Sequence, residues 1–176
     1  MVDGLMVKRH EGLSNNKRNI YISSFGDVIS SKYLKTKDRW SIPILLKTKL
    51  DQGYYKIRLK DDCKMVSRLV AEAWLDLPDD YDAEKYEVHH INEDKLDNSV
   101  TNLYVIKKEN HKTLHSIKYI YKVENNKKKL EKRNLIEILG DDRGKLESIL
   151  NEIKKNNKEK TTFEFEHEGI CYGVVI

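Results

Sequence analysis

Apolar and charged positions alternate along residues 54–60, with Tyr55, Ile57 and Leu59 set against Lys56, Arg58 and Lys60. A period of two is that of a half-buried strand, here with one basic face. "NIYISSFGDVISS" places Ile20, Ile22, Phe25, Val28 and Ile29 around Gly26 and predicts short strands turning at the glycine. "SIPILLKTKL" predicts an edge or hairpin strand, because Pro43 has no N–H to give a central ladder. From Met65 to Leu77 the period changes: Val66, Leu69, Val70, Ala73, Trp74 and Leu77 recur at helical spacing, and Pro78 with Asp79 and Asp80 ends the helix. "YEVHHI" and "LYVI" follow as short strands joined by the polar loop "NEDKLDNSVTN", and "KKENHKTLHSIKYI" reads as a helix. "KVENNKKKLEKRN" is either a linker or a strand with a solvated turn. Leu135, Ile136, Ile138 and Leu139, then Leu146, Ile149, Leu150 and Ile153, predict two helices broken between Gly140 and Gly144. "TTFEFEHEGICYGVVI" alternates and turns at Gly169, a hairpin.

The fold class is therefore α+β, in three small modules. Residues 1–62 form a β-rich module of antiparallel strands, residues 63–121 a central strand–strand–helix unit, and residues 122–176 a helix pair with a hairpin. The last fits a winged helix-turn-helix, or equally a packing or dimerisation domain. Composition agrees with thin cores: of 176 residues 35% are charged, and the mean hydropathy is −0.71. No apolar run approaches the roughly 20 residues that span a membrane. The N-terminus lacks a signal-peptide core. Cys63 and Cys171 are too few and too far apart for a disulfide framework or a cysteine zinc site. A cytoplasmic, reducing location is expected.

The net charge of +4 hides segregation: residues 1–60 carry thirteen Lys and Arg against five acidic residues. A second basic block spans residues 107–133, and an acidic stretch from Asp76 to Asp97 lies between. Such a distribution suits a polyanion held on two sides of a centre, although lysines also simply solvate a surface. Lys56, Arg58 and Lys60 on the strand, with Lys107, Lys108 and Lys112 at the helix, are the candidate phosphate contacts.

Four of the six histidines fall between Glu87 and Ser116. His111 and His115 are four apart on the predicted helix and share a face. Neighbours on a strand point to opposite faces, so His89 and His90 are unlike partners for one ion. One can ligate while the other stays free as a base. Imidazole suits zinc and other transition metals. Taken singly, each pair is more often incidental surface; the concentration of four in one compact unit is what points to chemistry.

"VHHINEDKLDNSVTNLYVIKKENHKTLH" resembles the motif of the HNH endonucleases, the ββα-metal fold. The spacing from His90 to Asn102 to His111 resembles the homing enzymes of phage and intron type, and Asn102–His111–His115 also resembles the nuclease colicins. "SRLVAEAWL" resembles the helix that leads into the motif, and "YISSFGDVIS" a small module found beside it, so the resemblance spans about residues 20–116. It implies that His90 is the general base, that Asn102 ties the loop and orients that base, and that His89, His111 and His115 hold the metal. Asn98 would be a structural loop residue.

Many homing members have Asp or Asn where this chain has His89, and Asn where it has His111. Asn110 beside His111 leaves a one-residue slip open. Three imidazoles favour zinc, nickel or manganese, with magnesium still open.

The implied activity is metal-dependent hydrolysis of double-stranded DNA, leaving 5′-phosphate and 3′-hydroxyl ends. One divalent ion cuts one strand, so a double-strand break needs a homodimer or two nicks. His90 would need an orienting partner, expected to be a backbone carbonyl of the loop. The competing reading is a non-enzymatic DNA-binding protein with a structural zinc, for which Cys63 or His167 would have to supply a fourth ligand.

Overall fold

The structure is a computed structural model and describes residues 6–59, 62–156 and 161–176. The expectation for Lys60 lies outside the described residues. The chain divides into two compact units, residues 1–83 with 88–105 and residues 84–87 with 106–176. No described helix is long and apolar enough to cross a membrane.

The first unit opens with strands β1 (Val7–Arg9), β2 (Arg18–Ser23), β3 (Val28–Leu34), β4 (Arg39–Trp40) and β5 (Ile44–Leu45), all in one antiparallel sheet in which β4 and β5 both pair with β3. β6 (Lys49–Asp51), β7 (Tyr54–Leu59) and β8 (Asp62–Met65) form a three-stranded sheet. Helix α1 (Val66–Trp74) follows without a break. The predicted apolar face of α1 is the one that packs: Val66, Leu69 and Val70 join Ile20, Ile22, Val28, Ile57, Leu59 and Leu103 in one buried cluster. α1 stops at Trp74, three residues short of the sequence expectation of Leu77, and Leu75 is already extended. The indole N–H of Trp74 donates to the Ile22 carbonyl at 3.0 Å, and Leu75 turns in against the cluster instead of continuing the helix. As expected, the edge position falls to the segment with Pro43: β5 is two residues long and pairs on one side only.

Two short strands, β9 (Tyr86–His90) and β10 (Leu103–Lys107), pair with each other, and each contributes residues to both units. The second unit continues with α2 (Lys108–His115), β11 (Tyr119–Glu124), β12 (Lys127–Glu131), α3 (Leu135–Leu139), α4 (Arg143–Asn156), β13 (Thr162–His167) and β14 (Ile170–Val175). Residues 122–134 are thus largely strand, not linker. Asn125 and Asn126 both take positive φ at the tip, the backbone a two-residue hairpin turn asks for. The sheet order is β12-β11-β14-β13, so the C-terminal hairpin supplies two strands of a supporting sheet. α3 begins with a capping box between Asn134 and Glu137. Its Leu and Ile residues are buried, as are Leu146, Ile149, Leu150 and Ile153 of α4 and Ile120, Phe163, Tyr172 and Val174 of the sheet.

On β14, Gly173 lies opposite Tyr121, whose ring covers the glycine. The phenol is pinned there, donating to Glu164 at 2.8 Å and accepting from Lys128 at 2.8 Å. A Cβ at Gly173 would lie 2.0 Å from the Tyr121 Cζ. Gly173→Ala is therefore expected to destabilise the chain by roughly 1–3 kcal/mol, the usual cost of overpacking, read as a lower urea midpoint. An unchanged midpoint would mean that the ring is free to move aside.

Candidate functional site

β9 places its side chains alternately on two faces. Glu87 and His89 share one face; Tyr86, Val88 and His90 share the other. The two histidines are 8% and 5% exposed, so both are committed to the interior, in opposite directions. The Ile91 N–H donates to the Asn102 carbonyl at 2.9 Å and closes the strand pair where the loop leaves it.

On the first face, His111 Nδ1 meets Glu87 Oε2 at 2.6 Å, a charge-assisted contact. The carboxylate fixes the ring and leaves Nε2 directed elsewhere. His115, one helical turn on, brings its Nε2 to 3.0 Å from His111 Nε2. One ligand atom from each of His89, His111 and His115 lies within 4.8 Å of the others. A tetrahedral ion with metal–nitrogen bonds near 2.0–2.1 Å separates its ligands by roughly 3.3 Å. The three imidazoles are close enough to reach that spacing through small ring rotations. The donor set suits a borderline transition metal better than magnesium, which wants oxygen ligands. Among the described residues, neither Cys63 nor His167 belongs to the cluster. Asn110, beside His111, is buried at 1% exposure, whereas His111 is the helix residue that lies within the histidine cluster.

On the opposite face, His90 Nε2 is 3.4 Å from Asn98 Oδ1. The partner expected to be a backbone carbonyl is thus a side-chain amide. Its orientation is fixed, because Asn98 Nδ2 donates to the Leu96 carbonyl at 3.1 Å, which turns Oδ1 toward the imidazole. An accepting oxygen there requires the proton on His90 Nε2 and leaves the lone pair on Nδ1. Burial lowers the His90 pKa below the ordinary imidazole value, partly opposed by the Asn98 contact and by Asp97 and Asp94. Burial thus favours the neutral ring, the state a proton acceptor needs. Tyr54 of β7 flanks it, ring centroids 6.1 Å apart, and Lys95 Nζ lies 5.0 Å over the Tyr54 ring.

Asn102 secures the loop. Its Oδ1 accepts from the Asn92 N–H at 2.9 Å and its Nδ2 donates to the Asp97 carbonyl at 2.8 Å. Asp97 accepts from the Ser99 N–H and hydroxyl and from Asn92 Nδ2, contacts that hold its carboxyl below the usual carboxylate range, the Ser99 hydroxyl contributing most. Gly26 presses on Asn98: it has a φ of +95°, and a Cβ there would lie 3.0 Å from Asn98 Cβ. Sequence reasoning passed over Glu87 and Tyr54 and gave Asn98 only a structural part. Glu87 had a signal, since it stands two residues before His89 and so shares its face. Tyr54 had none.

Among the proposed phosphate contacts, Lys56 is already paired with Asp51 at 2.9 Å and Lys107 with Glu147 at 3.2 Å. Arg58, Lys108 and Lys112 are exposed.

Comparison with known proteins bears on this arrangement. Residues 78–113 match the family model described as HNH endonuclease. No curated protein matches the chain. A solved structure described as "DNA binding and cleavage by the HNH homing endonuclease I-HmuI" aligns at 19% identity with a TM-score of 0.42, covering 97% of this chain and 98% of that one. The matched segment takes in β9, the loop, β10 and most of α2, and over that stretch the chain is similar to the HNH endonucleases.

Proposed function

We propose that this chain hydrolyses phosphodiester bonds in double-stranded DNA, as a site-specific nuclease of phage or homing type. One divalent cation would be held by His89, His111 and His115. The observation that carries the reading is the division of labour on β9: three imidazoles gather on one side, while a fourth, His90, is buried and oriented separately. When bound, the cation supplies positive charge for the phosphate and its leaving oxygen. Everything else falls to the chain. His90 takes a proton from water through Nδ1, and Asn98 holds the ring in that tautomer. Glu87 holds His111, and Asn102 ties the loop that carries Asn98. The exposed cations Arg58, Lys108 and Lys112 bind backbone phosphates, with Lys56 and Lys107 exchanging carboxylate partners for them.

A structural zinc calls for a fourth protein ligand, and the described cluster has three members, which supports a site open to substrate. Zinc and nickel are the ions that this donor set favours, ahead of manganese and magnesium, which prefer oxygen ligands. The two free cysteines fit a reducing, cytoplasmic setting. A single such centre cuts one strand, so a double-strand break needs a homodimer or two successive nicks.

His90→Ala should lose about 10²- to 10⁴-fold in plasmid nicking while retaining its gel shift on the same DNA. Undiminished nicking would remove His90 from the chemistry. A chelator should abolish nicking in the unaltered chain, and a divalent ion should restore it. Glu87→Gln should weaken metal binding about 10- to 100-fold by calorimetry, with His111→Ala weaker still. Equal affinity in the Gln variant would show that the carboxylate does not set the ligand.

A further inference from the structure

Three exposed large apolar residues of the first unit lie together in sequence, on the chain that borders β3. Ile42 is 85% exposed, Leu45 66% and Ile44 57%. Pro43 stands exposed among them. Such a cluster marks a binding surface.

The backbone explains why Ile42 protrudes. Arg39 pairs with Leu34 and Trp40 with Tyr33, whereas Ile44 pairs with Ser30 and Leu45 with Ile29. The pairing sums to 73 before the break and to 74 after it. One extra residue is therefore accommodated between Trp40 and Ile44, a β-bulge that redirects side chains. The bulge is rigidly framed. Ser41 N donates to the Lys32 carbonyl at 2.7 Å and Leu46 N to the Val28 carbonyl at 2.8 Å. The Trp40 ring meets Tyr33 edge-on with centroids 5.6 Å apart.

Cations flank the ridge in sequence on both sides. Lys32, Lys35, Lys37, Arg39, Lys47 and Lys49 are all exposed, and Asp38, which accepts from the Tyr33 hydroxyl, is the one acid between residues 32 and 50. That charge selects the occupant. A second copy would bring the same six cations against these, and Pro43 with the bulge denies it a regular edge to pair with. A polyanion whose interior is apolar meets both demands, with its phosphates at the lysines and its stacked bases at the ridge.

We propose that Ile42, flanked by Ile44 and Leu45 on the two faces of β5, is a wedge that enters a base step of the duplex and locally unstacks it, while the neighbouring lysines grip the flanking phosphates. This rests on duplex DNA being the substrate. The wedge makes flexible pyrimidine–purine steps the favoured points of contact, since they unstack most easily.

The test is the linking number of closed circular plasmid relaxed by a metal-independent topoisomerase with the full chain bound, in chelator so that no strand is cut. Binding is read by gel shift in the same samples. The unaltered chain should shift the topoisomers in proportion to protein bound. Ile42→Ser with Leu45→Ser should lose the shift and roughly tenfold in affinity, yet still nick plasmid when metal is restored. The surface positions leave the fold intact, which circular dichroism checks. Binding by the unaltered chain without any topoisomer shift, or an equal shift by the serine variant, would overturn the wedge and leave the nuclease reading standing. No binding to plasmid, with or without a divalent ion, would remove duplex DNA as the substrate and the wedge with it. A dimer in sedimentation without DNA, abolished by the serine variant, would assign the ridge to a second copy and overturn the proposal.

Discussion

Adjacent residues on a β-strand cannot face the same way, and the centre of this protein depends on that constraint. His89 and His90 are neighbours, both buried, and the pleat of β9 sends them apart. One joins His111 and His115; the other lies beside Asn98 and Tyr54. Had the two imidazoles been two residues apart, they would share a face and compete for one role. A one-residue slip of β9 against β10 would exchange them outright. The strand pair is short, so its register rests on few bonds, among them that between Ile91 and Asn102 and the two that Asn102 makes through its side chain.

That dependence explains why the loop between the strands is built from Asn, Asp and Ser. Each short polar side chain caps a backbone group nearby: Asn92 takes the Asp94 N–H, Asp94 that of Leu96, and Asp97 that of Ser99. A hydrogen bond of this kind contributes about 1 kcal/mol net. The series fixes a segment that touches the hydrophobic cluster chiefly through Val100. Its product is the orientation of one amide, Asn98, whose two ends are used differently: nitrogen to the Leu96 carbonyl, oxygen to His90. Gly26 reaches Asn98 from the β2–β3 turn, so the N-terminal sheet supports the same amide.

Much of this was legible in the sequence because it follows from period. Alternation announced β7, β13 and β14, whereas the start of β11 was read as helix: the helix expected to run to Ile120 stops at His115, and the Lys118 N–H bonds the Val175 carbonyl of β14 instead. The 3.6 repeat announced α1 and α4, and the spacing of His111 and His115 announced a shared face. What escaped depended on groups distant in the chain. The end of α1 is set by a bond from Trp74 to Ile22, and nothing near Leu77 records it. Tyr54 meets His90 across 36 positions of sequence. Glu87 lay within reach of period-two reasoning; it was missed because an acidic residue among many acids carries no distinction until His111 is seen to touch it. The bulge before Ile44 was hidden for another reason, since an extra residue in an edge strand leaves hydropathy unchanged and alters only direction.

Several of the cations expected to meet phosphate are already paired, and this does not weigh against such a role. Lys56 with Asp51, Lys107 with Glu147, and Lys154 with Glu109 are solvent-accessible pairs. Pairs of that kind are worth about 0–1 kcal/mol, because water screens them and two flexible side chains must be held. A phosphate that displaces the carboxylate gives back a charge partner and also releases counterions from the duplex. The carboxylates keep the lysines extended and ordered until then, at little cost to exchange. Glu147 and Lys154 on the polar side of α4 are engaged with Lys107 and Glu109 in the same exchangeable way. Further exposed cations lie near the bulge of the first sheet in sequence, where the apolar ridge also stands exposed.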